Sequence, residues 1–170
     1  MMCLKYKGLG KPRGINYFGS TLLRVCHIKR EKQNKVFKGI ATKGKSTMGW
    51  FFGFKLHLII NDRGELLSFY LTKGNVDDRN VEVMTAMTKE IFGKLFGDKG
   101  YISQALPELL FQDGIQLITK GRKNMKKQNL SDVDAILLRK RALVESVNDE
   151  LKNMCKIEHT RHIGLSKGFL

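Results

Sequence analysis

Two carboxylates in this chain have neighbours suited to phosphodiester chemistry. Asp98 closes a short apolar run, Lys94 to Gly97, and is followed by Lys99, Gly100 and Tyr101. Site residues gather at strand ends in α/β sheets, where a side chain faces a cleft and the strand behind it is buried. Glu145 lies in the longest helical pattern, with Arg141, Asn148 and Lys152 at compatible spacing. At roughly 100° per residue these four fall within about 60° of arc, a single polar stripe. Plainer readings exist for both. Asp98 also suits a turn ahead of a glycine. The stripe also suits a solvated face, its Arg141–Glu145 pair worth about 0.3 kcal/mol. As a pair among cations the two acids offer more. Hard divalent cations prefer carboxylate oxygens. Two such ions, about 3.5–4 Å apart, activate the attacking oxygen and stabilise the leaving oxygen of a phosphodiester. Such sites usually need a third carboxylate, on an early strand.

The composition agrees with a phosphate-bearing partner. The chain has 170 residues, with 31 Lys and Arg against 16 Asp and Glu, a net charge of +15. An acidic enzyme or a near-neutral metabolic domain is a poor fit. A disordered basic tail is excluded, because 42% hydrophobic and 9% aromatic residues are enough to build a core. That much charge on a folded domain points to a polyanion, most often nucleic acid. The charge is concentrated. Residues 1–50 hold twelve Lys and Arg and one acid, Glu31. A second cluster is Lys120, Arg122, Lys123, Lys126 and Lys127. Cys3, Cys26 and Cys155 form no CxxC pair, so reduced thiols and a cytoplasmic setting are expected. The first residues lack the apolar core of a signal peptide. The most apolar stretch, Trp50 to Ile60, is interrupted by Lys55 and His57, and no membrane partner is expected.

The elements that must position these groups follow from pattern. Residues 1–13 read as a basic arm. Ile15 to Phe18 is a strand, with Leu22 to Cys26 as its continuation or neighbour, and residues 29–46 are a basic excursion. Gly49 to Asn61 reads as a long strand, turned at Asn61–Gly64 into a return strand, Leu66 to Leu71. Asp78 is the expected cap of a helix from Arg79 to Phe92. A strand at Lys94 to Gly97, a helix from Ser103 to Gln112 disturbed by Pro107, and a strand at Ile115 to Thr119 follow. Ser131 and Asp134 cap a long helix, Asp132 to Met154, whose core stripe is Ile136, Leu143, Val147, Leu151 and Met154. The fold class expected is α/β: one mixed sheet, an antiparallel hairpin plus parallel strands, flanked by helices. His57 is placed on an outer strand face. Trp50, Phe51, Phe52 and Phe54 are read as sheet packing rather than a base-stacking platform.

From residue 14 to residue 162 the chain resembles the catalytic core of bacterial insertion-sequence transposases of the DDE type. The segments carrying the resemblance are GINYFGSTLLRVCH, KVFKGIATKGKSTMGWFFGFKLHLIIND, LTKGNVDDR, KLFGDKGYIS, IQLITKGRKNMK and LLRKRALVESVNDELKNMCKIEHTRH. The Asp98–Tyr101 run resembles the family's second acidic motif. Arg141, Glu145 and Lys152 resemble the motif around the third acid, with Leu138 where a Tyr is common. The resemblance implies an RNase H-like fold and metal-dependent DNA cleavage at transposon ends, followed by strand transfer. It implies Asp98 and Glu145 as catalytic ligands of Mg²⁺ or Mn²⁺. Arg141 and Lys152 would contact DNA phosphates, with Lys120, Arg122 and Lys123 lining the same cleft. Double-stranded DNA is the implied partner, with several copies of the chain assembling on it.

The resemblance fails at one decisive position. The family's first acid stands in a segment reading Asp-Ser-Thr, and here that segment is Gly19-Ser20-Thr21. Gly19 has no side chain to offer, and Ser20 is a weak neutral donor. Asp77 and Asp78 are read as turn and cap residues, and Asp62 as part of the hairpin turn. The short basic start, the irregular tail at 163–170 and the lost Asp together suggest a truncated, decaying copy. Its cleavage activity is expected to be impaired. The alternative is a non-catalytic, DNA-binding remnant.

Overall fold

A computed structural model describes residues 8–47, 49–98, 105–119 and 130–158. The first strand, β1, runs unbroken over Ile15–Cys26, joining the two runs expected there. A 3₁₀ turn, Ile28–Gln33, and a short strand β2, Thr42–Ser46, organise the basic excursion. β3 spans Gly49–Asn61 and β4 spans Leu66–Lys73. The turn between them needs Gly64, whose φ of 84° suits a residue without Cβ. Then come α1 (Val81–Thr88), β5 (Gly93–Gly97), α2 (Ala105–Gln112) and β6 (Ile115–Thr119). The chain continues through α3 (Asp132–Lys140), α4 (Ala142–Asp149) and a π turn, Glu150–Met154.

The six strands form one mixed sheet, as the pattern predicts, while β2 is a strand that the reading of residues 29–46 as an excursion lacks. β3 is antiparallel to β1 along one edge, while β2 and β4 share its other edge end to end. β1, β5 and β6 are parallel, with Tyr17 opposite Phe96 and Phe96 opposite Ile118. Both faces are covered. On one face Phe18, Ile59 and Leu95 pack with Val83, Met84 and Met87 of α1 and Leu106 and Leu110 of α2. On the other, Tyr17, Phe96 and Ile118 pack with Leu138 of α3 and Val144 of α4. Further along that second face, Phe52, Phe54 and Leu58 meet Val147, Leu151 and Ile157.

Several expectations are corrected. Asp78 does not cap α1. Asn80 does, its side chain accepting from Val83 N at 3.1 Å, and the helix is correspondingly shorter. The long C-terminal helix is broken at Arg141 and ends in the π turn, where Cys155 N reaches Glu150 O at 3.1 Å. Those interruptions rotate the stripe. Ile136 and Met154 are exposed, while Leu138 and Val144 take the buried positions. Pro107 falls in the first turn of α2, where its missing N–H costs little. His57 has no outer face to occupy, since helices cover both sides of the sheet, and it is fully buried. Trp50 departs from its aromatic neighbours: Phe51, Phe52 and Phe54 are buried and Trp50 is 62% exposed.

Candidate active site

Position 19 and Asp98 stand level on neighbouring parallel strands. β1 and β5 are in register through Tyr17 and Phe96, and each position lies two residues further on. Alternation along a strand puts residues 17 and 19 on one face, and 96 and 98 on that same face. Tyr17 and Phe96 pack against α3 and α4, so position 19 and Asp98 belong to the α4 side, at the C-terminal end of β5. Asp98 is exposed there. Glu145 follows Val144 on α4, and Val144 packs directly over Gly19. Val144 of α4 thus lies on Gly19, and Asp98 belongs to the same side of the sheet.

The place beside Gly19 is closed. Gly19 is buried, and a Cβ added to it would overlap Val144 Cγ1. Val144 fills the space where a side chain from position 19 would enter. Its Ser20 neighbour points to the opposite face, where Ser20 Oγ donates to Asp78 Oδ1 at 3.2 Å. Asp78 is held there by Lys55, whose Nζ lies 3.1 Å from Oδ1 and also donates to Val76 O at 2.8 Å.

The polar stripe of the C-terminal helix divides into different roles. Glu145 is the open member, its side chain 62% exposed, and it accepts from Arg141 Nη2 at 2.6 Å. Asn148 turns inward and is buried with its Oδ1 unpaired. Lys152, carried round by the π turn, pairs with Glu158 at 3.4 Å. Glu158 also accepts from Arg24 N at 3.1 Å, which ties the end of the helix to β1. Lys99, Tyr101, Lys120, Arg122, Lys123, Lys126 and Lys127 lie outside the described residues, as do residues 1–7 of the arm and the tail at 163–170.

Among the described residues the donor set does not complete a divalent-cation site. All 16 acids of the sequence fall within the described residues. Among those residues, no group of three His, Cys, Asp or Glu is placed to hold a metal. The position level with Asp98 on β1 carries no side chain, and its space is filled by Val144. Asn148 supplies an unpaired oxygen without the charge of a carboxylate.

Further along the same side of the sheet the surface is basic. Lys29, Arg30, Lys32, Lys35, Lys38, Lys43 and Lys45 are all exposed, with Glu31 the one acid among them. Ile28 and Phe37 pack into the cluster shared with Val147 and Leu151, so the excursion is anchored on the α4 side. Sequence reasoning located the charge. It missed the Val144 contact and the Ser20–Asp78–Lys55 cluster, because both arise between residues far apart in the chain.

The family model described as the transposase DDE domain matches residues 9–165. No curated protein matches the chain. Among solved structures, a piggyBac transposase synaptic complex with hairpin DNA aligns at a TM-score of 0.49 and 13% identity, over 72% of this chain and 26% of that one. A simian T-cell lymphotropic virus intasome aligns at 0.40 and 14% identity, over 90% of this chain and 47% of that one. The chain therefore spans about a quarter and about half the length of these two. No helix among the described residues is long and apolar enough to cross a membrane.

Proposed function

The chain belongs to the family of transposase DDE domains, and we propose that it is a DNA-transposition core that binds duplex DNA while its cleavage chemistry is impaired. The observation that carries this reading is the closed place at Gly19. On β1 the position level with Asp98 is a glycine, and Val144 fills the space beside it. Divalent cations held by a full set would activate water, and then a freed 3′-hydroxyl, for attack on phosphodiesters. With two donors, each ion loses a preorganised partner, and such losses commonly cost about 10²–10³ in rate.

DNA binding draws on other residues. Arg141 stands beside Glu145 with a planar guanidinium suited to phosphate. The basic excursion on the α4 side would neutralise phosphates further along the duplex. The Lys120–Lys123 segment belongs to the same proposed surface.

Two measurements on the native chain test the reading. Labelled duplex DNA followed by anisotropy should show binding that weakens steeply with salt and needs no metal. Supercoiled plasmid incubated with Mg²⁺ or Mn²⁺ should remain unnicked. Robust nicking by the native chain, not increased in a Gly19→Asp/Val144→Ala variant, would overturn the impaired-site reading. If the double variant stays inert while DNA binding persists, the protein is the non-catalytic, DNA-binding form of this core.

A further inference from the structure

The only tryptophan of the sequence, Trp50, stands at the start of β3 and is 62% exposed. Burial of Phe51, Phe52 and Phe54 shows that the sheet did not need Trp50 for packing. Its place is specific. Trp50 shares a strand face with Phe52 and Phe54, which pack towards Val147 and Leu151 of the helical layer carrying Glu145. Across the hairpin Trp50 pairs with Lys45 and Phe52 with Lys43, so both lysines lie on that face. Lys45 Nζ lies over the indole at 5.8 Å from the ring centre, which leaves the other ring face uncovered by it. Lys43 is paired with Glu31 at 2.8 Å and remains exposed.

We propose that the β2–β3 hairpin is a binding site for an unpaired nucleobase, with the Trp50 indole stacking on the base and Lys45 and Lys43 meeting the flanking phosphates. Charge complementarity selects this occupant. An exposed aromatic with Lys45 over its ring and Lys43 on the same strand face, in a chain of net charge +15, suits a ligand that is both flat and anionic. A second copy of a chain with net charge +15 does not match that field. Nucleobases supply the flat surface, and stacking on an aromatic side chain tolerates any base. Base pairs in an intact duplex hide those faces, so the site favours single-stranded or locally opened DNA.

The position also has a length. Leu58 pairs with Gly19, and Trp50 lies eight residues before it on β3. At about 3.3 Å per residue the hairpin stands roughly 26 Å from Gly19. That distance is about eight nucleotide steps of duplex DNA. The inference rests on the DNA-binding reading above and adds an unpaired base, held away from Gly19, to what the surface recognises.

Because Trp50 is the sole indole, its fluorescence reports the site directly in the native chain. Titration with oligo-dT should quench the emission and shield it from iodide. A blunt duplex of the same length should do so much less. Anisotropy of labelled oligo-dT should show affinity falling about 5- to 100-fold in Trp50→Ala, from the usual worth of one stacked base. Trp50→Phe should retain most of it. Circular dichroism checks that the variants fold, which is expected at an exposed position. Unchanged emission on oligo-dT binding, with equal affinity for the native chain and Trp50→Ala, would overturn this inference and leave duplex binding untouched. Failure of the native chain to bind either DNA at low salt would instead overturn the DNA reading itself.

Discussion

Placing an acid at position 19 requires more than one substitution. Val144 is β-branched and stiff at χ1, so it cannot swing aside cheaply. A Gly19→Asp side chain would meet it at once. Overpacking of this kind costs about 1–3 kcal/mol. Urea denaturation should show Gly19→Asp destabilised by about that amount, with part of the loss recovered in Gly19→Asp/Val144→Ala. Equal loss in the two would mean that the valine is not the obstacle. His57 gives a second prediction, in pH. Burial pushes its pKa down to about 4 from the usual 6.5, against the pull of Asp78. Its Nε2 pairs with Thr72 Oγ1 at 3.0 Å, its Nδ1 is unpaired, and its ring stacks on Phe18. Between pH 6.5 and 4 the unfolded chain binds a proton at this residue that the folded chain refuses. Stability is therefore lost as pH falls through that window, by up to about 3 kcal/mol, and is unaffected by His57 above it. Urea midpoints measured across the window should fall for the native chain and flatten for His57→Gln. Gly19 was legible because it interrupts a motif. Val144 was not, because only the crossing of α4 over β1 sets the contact. His57 misled because alternation in a strand does not say whether the second face is covered.

At the scale of elements, strands were read more faithfully than helices. β3 and β6 fall on their expected residues because a period of two survives burial on both faces when turns bound the run. Helix ends depend on which polar side chain reaches a free N–H, and Asp78 and Asn80 compete for that role in the sequence. The structure divides the work. Asn80 accepts from Val83 N, and Asp78 serves Lys55 and Ser20. Replacing Asn80 by Ala should cost about 1 kcal/mol, the usual worth of a cap. Asp78→Ala should cost more, about 1.5–3 kcal/mol, because it leaves the largely buried Lys55 ammonium with only a carbonyl partner. Thermal melts of the two variants give the order. A milder effect at Asp78 would show that Lys55 escapes to water. The break at Arg141 was hidden in sequence, since its residues are all good helix formers. Val144 N reaches back to Arg141 O at 2.9 Å, which tightens that turn and shifts the buried stripe to Leu138 and Val144. That shift closes the space above Gly19.

For the whole molecule, the charge is arranged by layer. The exposed cations from Lys29 to Lys45 belong to an excursion anchored on the α4 side, while α1 and α2 cover the other face. A duplex lying on the α4 side would release counterions from the phosphates those cations neutralise, so log affinity should fall linearly with log salt. Each lost phosphate contact lowers the slope by about 0.9. Replacing Lys29, Lys35 and Lys38 together by Gln should therefore reduce the slope by up to about 2.7. Lys89→Gln, just beyond α1 on the opposite face, should leave it unchanged. Trp50→Ala should leave the duplex slope unchanged as well, because stacking releases no counterions. Anisotropy titrations of a labelled duplex across a salt series separate these cases. Equal reductions per charge removed in the triple variant and in Lys89→Gln would mean that the protein attracts DNA through net charge alone. A reduction confined to the triple variant assigns the duplex to the α4 side, the side on which Val144 closes the place at Gly19.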